Sequence, residues 1–325
     1  MKGSLKEFEL IERLRAHLPQ SRRTLLGPGD DCAILARSRA PQLVTIDSMV
    51  EGVHFNLKWG TPDLLGARSL TVNLSDIAAM GGKPTACVVN LAIRPGLNRT
   101  FFDRLYRGLA KAATATGVDI VGGNITRADQ LSITIALFGE VTGSPMLREN
   151  ARPGDAIYVT GTVGDAALGL RLLSGKSRAR GCTRKFLVDR FLSPTARIDA
   201  GRALARIRPT PAAIDMSDGL WQDLGHILER SRVGAEIDPA LLPLSPAYRA
   251  LAGTDVSYAL GGGDDYELLF CMRSRMSEAA LSRRLGVNVC RIGKIVSGDR
   301  ATLVGTATAD SVPRLQGWDQ LRAHA

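Results

Sequence analysis

The residues of this chain best suited to chemistry are aspartates, set in short glycine- or hydroxyl-flanked motifs that lie far apart in sequence. Gly29-Asp30-Asp31-Cys32 comes first, followed by Thr45-Ile46-Asp47-Ser48 and Asn73-Leu74-Ser75-Asp76. Later come Asp215-Met216-Ser217-Asp218-Gly219 and Gly261-Gly262-Gly263-Asp264-Asp265-Tyr266-Glu267. Brought together, such groups are hard oxygen ligands of the kind that suits Mg²⁺ and a polyphosphate. Two carboxylates about 4 Å apart repel by roughly 4 kcal/mol at an effective dielectric near 20, so a converging set needs cations between its members. Any one motif is equally ordinary turn or helix-cap chemistry. Five of them, two with doubled Asp-Asp pairs, favour a metal site.

Other chemistries find less support. The motifs contain no Ser–His–Asp or Cys–His arrangement. Gly169 to Ser177 imitates a phosphate-binding P-loop, but five residues separate Gly169 from Gly175 where that loop has four. The run also follows an apparent helix, so any ATP use proceeds without a P-loop. The net charge is +10, much of it in the acid-free stretch from Arg171 to Lys185. That stretch reads as a solvated surface loop. No aromatic interleaves it and no nucleic-acid motif accompanies it, so no nucleic-acid partner is expected. A basic exterior also steers anionic nucleotides inward.

The elements that must hold these motifs alternate between strand and helix. At 325 residues the chain is expected to form two domains, 1–148 and 149–325, divided in the Pro- and Gly-bearing stretch from Gly143 to Asp155. Helical spacing appears over Leu5–Leu18, Asp63–Met80, Phe101–Thr116, Asp165–Leu173, Thr195–Ala205, Gly219–Arg230 and Met276–Leu285. Strands are expected over Gln42–Ile46, Thr85–Ile93, Val118–Val121, Leu131–Val141, Ala156–Thr160, Tyr266–Met272 and Val287–Ile295, with Gly122-Gly123-Asn124 as a turn. This is an α/β (α+β) pattern, with polar motifs at strand ends where such folds place ligands. No apolar run approaches the ~20 residues of a membrane span. The start of the chain carries no apolar signal segment, and its five cysteines form no CxxC. A cytoplasmic protein with reduced thiols and no membrane partner is the expectation.

The ordered set Gly29-Asp30-Asp31-Cys32, Asn73 to Gly81, Gly122-Gly123-Asn124, Asp215 to Leu220 and Gly263 to Leu268 resembles the thiamine-monophosphate kinase family, and extends to a terminal Gly317-Trp318-Asp319. The resemblance implies an ATP-dependent phosphotransferase of thiamine biosynthesis, a kinase that takes a phosphate group as acceptor. It converts thiamine monophosphate to thiamine diphosphate with several Mg²⁺ ions. It implies the two-domain fold of aminoimidazole ribonucleotide synthetase, in which the N-terminal sheet domain forms a homodimer interface and the C-terminal domain closes the site. By the same resemblance Asp31, Thr45, Asp47, Asp76 and Asp215 hold Mg²⁺, Asp30 supports them, and Asp218 holds a further ion. Asp31, Asp47, Asp76 and Asp215 are the catalytic set. Gly123, Asn124, Arg148 and Ser217 contact ATP, while His54, Asp264 and Trp318 contact thiamine monophosphate. Three positions depart from the family pattern. Ile46 stands where a hydroxyl can ligate and offers only its carbonyl, Asn124 stands where Asp is also found, and Asp264 stands where Glu is common.

The residues fit that reaction without the resemblance. A phosphate monoester with second pKa near 6 is dianionic at neutral pH and needs no strong base. Bringing two anions together is then a task for cations and positioning. An indole at Trp318 could add about 0.5–2 kcal/mol against a cationic thiazolium. Taken singly, His54 could equally be an edge histidine, Trp318 a packing anchor and Arg148 a solvated charge. The competing functions are another ATP-dependent enzyme of the same superfamily, or a non-catalytic nucleotide- or nucleic-acid-binding protein.

Overall fold

The computed structural model describes residues 7–28, 31–273 and 276–305, with the backbone alone for Glu7 and Phe8. They divide into two compact units. One holds the residues up to Ile77 together with Lys83–Val141; the other holds Ala78–Gly82 and the chain from Thr142 onward.

In the first unit the elements run α1 (Glu7–Arg15), β1 (Thr24–Leu26), β2 (Ile34–Leu35), β3 (Gln42–Val50), α2 (Pro62–Ala79), β4 (Gly82–Ile93), α3 (Arg99–Thr116), β5 (Asp119–Arg127) and β6 (Ser132–Val141). β1 and β2 form an antiparallel pair. The main sheet has the order β3-β6-β4-β5, antiparallel between β3 and β6 and parallel between β4 and β5. Strict alternation along β6 buries Ile133, Ile135 and Leu137, each side chain contributing roughly 1.5–3 kcal/mol by leaving water. α2 and α3 supply Leu70, Leu74, Phe102, Leu105 and Leu109 to the buried core. The two helices touch backbone to backbone. A Cβ on Gly66 would lie 1.9 Å from the Leu105 carbonyl oxygen, and one on Gly108 would lie 1.8 Å from that of Asp63. α3 is capped at both ends, by the Asn98 side chain accepting from Phe101 N and by left-handed Gly117.

The second unit contains β7 (Ala156–Thr160), α4 (Asp165–Leu173), α5 (Gly181–Leu192), α6 (Ile198–Leu204), β8 (Ala212–Asp215), α7 (Leu220–Ser231), β9 (Gly234–Ile237), α8 (Pro246–Ala252), α9 (Ser257–Gly261), β10 (Leu268–Met272), α10 (Glu278–Leu285), β11 (Val289–Val296) and β12 (Ala301–Leu303). Its sheet has the order β12-β9-β11-β7-β10-β8, antiparallel except where β12 meets β9. Both faces are covered, so the central strands read as apolar runs. On β10, Leu269 and Cys271 enter one core cluster while Leu268, Phe270 and Met272 enter the other. Cross-strand Tyr158 and Phe270 stack with ring centroids 5.2 Å apart.

Two local expectations are corrected. Gly122-Gly123-Asn124 is not a turn; β5 runs through it and pairs in parallel with Val88, Val89 and Asn90. The glycine is needed for closeness, because a Cβ on Gly123 would lie 2.0 Å from the Val89 carbonyl oxygen. The basic stretch is likewise not all loop. Arg171 closes α4 with its guanidinium 5.2 Å from the centre of the Tyr258 ring, and Gly181 to Lys185 open α5. Gly169, the first glycine of the P-loop imitation, lies inside α4, where a Cβ would meet the Leu187 carbonyl oxygen at 2.1 Å.

Candidate active site

In the first unit the metal candidates are sorted by strand alternation. Thr45 and Asp47 pair across to Leu137 and Ile135, so they share the sheet face on which those core residues lie. Thr45 Oγ1 donates to Asp76 Oδ2, which joins β3 to α2. Asp47 is exposed and Asp76 half-buried. One turn before Asp76, Asn73 is fully buried; its Nδ2 donates to Ser69 O, and its Oδ1 has no hydrogen-bond partner among the described residues. Thr45 and Asp76 are in direct contact; Asp47 on the same strand face and the unsatisfied Asn73 carbonyl oxygen one turn along α2 are further hard-oxygen donors of the type that fits Mg²⁺.

Ile46 pairs with Ala136 and turns to the opposite face. There it lines a cavity of about 800 Å³ together with Asp31, Asn90, Gly123, Asn124 and Phe138. Its side chain therefore has no place in the donor set, and only its backbone carbonyl remains as a candidate. Asp31 is exposed in the loop between β1 and β2. That hairpin is anchored where Ser21 Oγ and Thr24 Oγ1 both donate to Asp119 Oδ2, at 2.7 Å each. Asp30 lies outside the described residues. Asn124 Nδ2 donates to Asn90 Oδ1 at 3.1 Å, forming an amide pair on adjacent strands at the cavity wall. His54 Nδ1 accepts from Val50 N at 3.1 Å, and Arg68 Nη1 reaches the His54 carbonyl oxygen at 3.3 Å. The first contact orients the imidazole and the second holds the His54 backbone.

In the second unit the two acidic motifs are zipped together by backbone hydrogen bonds. Met216 N donates to Glu267 O, Tyr266 N to Met216 O and Asp264 N to Ser217 O, each at 2.9 Å. Gly263 permits the approach, since a Cβ there would meet the Ser217 carbonyl oxygen at 2.3 Å. Asp215 ends β8 opposite Leu268, and Asp218 opens the turn into α7. Asp265 turns inward and accepts from Gly164 N and Ala166 N at the start of α4. Burial is the main reason its carboxyl is pushed up to about 7, with Arg190 opposing. Glu267 is fully buried, accepts from Thr160 Oγ1 at 2.7 Å, and is clamped by Arg190 at 3.0 Å and by Arg197. Arg148 is exposed on a short helical turn (Arg148–Asn150) of this unit. Trp318 lies outside the described residues.

Two residues beside this motif were not singled out in the sequence. Asp218, Asp223 and His226 each offer a ligand atom, and the three atoms lie within 4.8 Å of one another. Asp223 is buried and accepts from Asp218 N and Gly219 N, at 3.2 and 3.1 Å. Its carboxyl is pushed up to about 8, first by burial and then by the charges of Asp215 and Asp218. Mutual repulsion among three carboxylates is the electrostatic setting that a cation relieves, so this donor set also fits a divalent metal. The signal available was the i, i+3 spacing of Asp223 and His226 on one face of α7, one turn beyond Asp218-Gly219.

Comparison with known proteins covers both units. Residues 29–141 match AIR synthase related protein, N-terminal domain, and residues 152–306 match AIR synthase related protein, C-terminal domain. The thiamine-monophosphate kinase of Escherichia coli (strain K12) is 38% identical over 290 residues, covering 86% of this chain and 86% of that protein. Among solved structures, thiamine-monophosphate kinase from Stenotrophomonas maltophilia K279a superposes with a TM-score of 0.82 at 37% identity, covering 94% of this chain and 98% of that one. AaThiL complexed with AMPPCP and TMP superposes with a TM-score of 0.76 at 31% identity, covering 96% and 94%.

Proposed function

The chain belongs to the thiamine-monophosphate kinase family, and from that premise we propose that it transfers the γ-phosphoryl group of ATP to thiamine monophosphate. A phosphate oxygen of the acceptor forms the new P–O bond as the bond between the γ-phosphorus and the β,γ-bridging oxygen breaks, giving thiamine diphosphate and ADP. The observation that carries this reading is the pairing of oxygen-rich acidic sites in both units with a relative complexed with AMPPCP and TMP. The acceptor dianion is already a nucleophile at neutral pH, so the protein has to position it and neutralise charge.

Mg²⁺ is the proposed metal, with Thr45, Asp47 and Asp76 as its ligands on one face of the first unit's sheet, Asp31 as a ligand from the loop beside the cavity on the opposite face, and Asp215 and Asp218 as ligands in the second unit; Asp30, the Ile46 carbonyl and the Asn124 side chain are further candidates. When bound, it screens the phosphates and stabilises charge developing on the transferred group. Gly123, Asn124, Arg148 and Ser217 are assigned to the nucleotide. The close pairing of Gly123 with Val89 sets the neighbouring Asn124 at the cavity wall, and the guanidinium of Arg148 supplies a donor fork. His54, Asp264 and Trp318 are assigned to the acceptor. The aspartates thereby serve as metal ligands and not as a general base.

A homodimer is the proposed assembly. Its support is the sheet face of the first unit that carries Val44 and Ile46, each 64% exposed. Among the described residues no helix is long and apolar enough to cross a membrane. The five free cysteines support the proposed cytoplasmic setting. Incubation with ATP, Mg²⁺ and thiamine monophosphate, resolved by chromatography, tests the function. Thiamine diphosphate and ADP in equal amounts are expected, and no thiamine diphosphate at any Mg²⁺ concentration would sink the proposal.

A further inference from the structure

We infer that Tyr266 is a positioning residue for the acceptor, its hydroxyl holding the Asp264 carboxylate in the orientation that meets the cationic thiazolium of thiamine monophosphate. The inference rests on the proposed reaction and on the assignment of Asp264 to the acceptor.

Within the loop before β10, Asp264 and Tyr266 both have left-handed backbone, with φ of 69° and 51°. Asp tolerates that conformation; Tyr rarely adopts it, and it persists only where surrounding structure dictates it. Here the surroundings do so. The residues between and after them point inward and are held, Asp265 by the backbone of Gly164 and Ala166, and Glu267 by Arg190, Arg197 and Thr160. The hydrogen bonds from Asp264 N to Ser217 O and from Tyr266 N to Met216 O tie the intervening backbone down. The two left-handed positions are thereby turned toward each other, and Tyr266 Oη donates to Asp264 Oδ1 at 3.2 Å. The Tyr266 ring itself is buried, with only 9% of the residue exposed, so the phenol is anchored at its base. A donor on one oxygen fixes the rotamer of a short carboxylate, and a fixed carboxylate loses less freedom on meeting a cation. Asp264 has one methylene fewer than Glu, so its carboxylate depends more on being aimed.

The test is a double-mutant cycle on the full chain with Tyr266→Phe, Asp264→Asn and the pair. Phe keeps the ring and its packing, so the thermal transition should not move. Turnover by the unsubstituted protein checks the underlying reaction separately. Given that turnover, Tyr266→Phe should raise KM for thiamine monophosphate about tenfold, the size expected for a hydrogen bond to a charged group, and leave KM for ATP unmoved. In the background of Asp264→Asn the Phe substitution should add nothing. An unchanged KM for thiamine monophosphate in Tyr266→Phe, or effects that add in the double variant, would overturn the assignment.

Discussion

The candidate acidic ligands of the first unit stand near water: Asp31 and Asp47 are exposed, and Asp76 is half-buried against the Thr45 hydroxyl. Those of the second unit are sunk into the fold. Asp215, Asp223, Asp265 and Glu267 are all buried, and cations or backbone N–H groups of the protein itself satisfy the deepest of them. Water can solvate the first set until a metal arrives, so little of its cost appears in folding. The second set faces desolvation whether or not a ligand is present, and its internal partners must offset that cost. In the first unit Asp31, Asp47 and Asp76 can therefore be altered at the expense of chemistry alone. In the second unit, chemistry and folding are coupled.

The largest effect expected from this contrast is at Glu267. Glu267→Gln removes the charge between Arg190 and Arg197, which are only 15% and 20% exposed. Breaking a buried pair at one partner costs about 3–5 kcal/mol, and urea unfolding should show a loss of that size. A loss below 1 kcal/mol would mean that the clamp is not what holds this loop. Asp76→Asn is the matching change in the first unit. It should lower turnover at least about 100-fold, as losing one preorganised charge-stabilising group does, while the thermal transition of the metal-free protein stays put or rises. A folded Asp76→Asn protein with full activity would remove Asp76 from the site.

How far the sequence disclosed this contrast depends on range. The acidic motifs and most helices and strands were legible, because hydrophobic period and glycine punctuation are local signals. Ala156–Thr160 and Asp165–Leu173 have the bounds that the pattern predicts. Gly122-Gly123-Asn124 was read as a turn because its composition is turn chemistry; what keeps it extended is Val89, a tertiary neighbour. α5 was overlooked because its first turn, Gly181-Cys182-Thr183, carries no side-chain cap and the basic residues mask its apolar face. Asp265 sits in a glycine-rich motif whose composition is ordinary turn chemistry, whereas its partners Gly164 and Ala166 lie about a hundred residues earlier in the chain. Ile46 was weighed as a departure in chemistry, but strand alternation had already turned its side chain away from Thr45 and Asp47.

A pH titration sharpens the comparison further. The Asp265 carboxyl is pushed up to about 7 in the folded protein, against an unfolded value near 3.9. A carboxyl raised in this way contributes stability that is fully present below the unfolded value and is lost as pH rises through the folded one. Between about pH 4 and 7 the folded state holds a proton that the unfolded state has released, so stability falls with rising pH. The groups facing Asp265 are Arg190, which opposes the shift, and Asp165, which adds to it. Asp265→Asn should cost some stability at every pH through the lost acceptor. It should also flatten the slope by up to about 1 kcal/mol per pH unit in chemical unfolding of metal-free protein. Asp76→Asn should leave that slope as it is. An unflattened slope in Asp265→Asn would assign the titration to another group.

The smallest expected effect comes from an ion pair in the same unit but in water. Lys185 and Asp189 pair one turn apart on α5 with side chains 78% and 55% exposed. The pair sets one cation against one carboxylate, where the Glu267 clamp sets two guanidiniums and a hydroxyl against a buried one. Water screens the attraction, the long lysine side chain loses freedom in making it, and Lys preceding Asp is the less favourable order along a helix. Lys185→Ala should change unfolding free energy by no more than about 0.5 kcal/mol, and even that should vanish at high salt. A loss approaching that of Glu267→Gln would mean that burial does not separate the two kinds of acidic group, and the contrast between the units would fall with it.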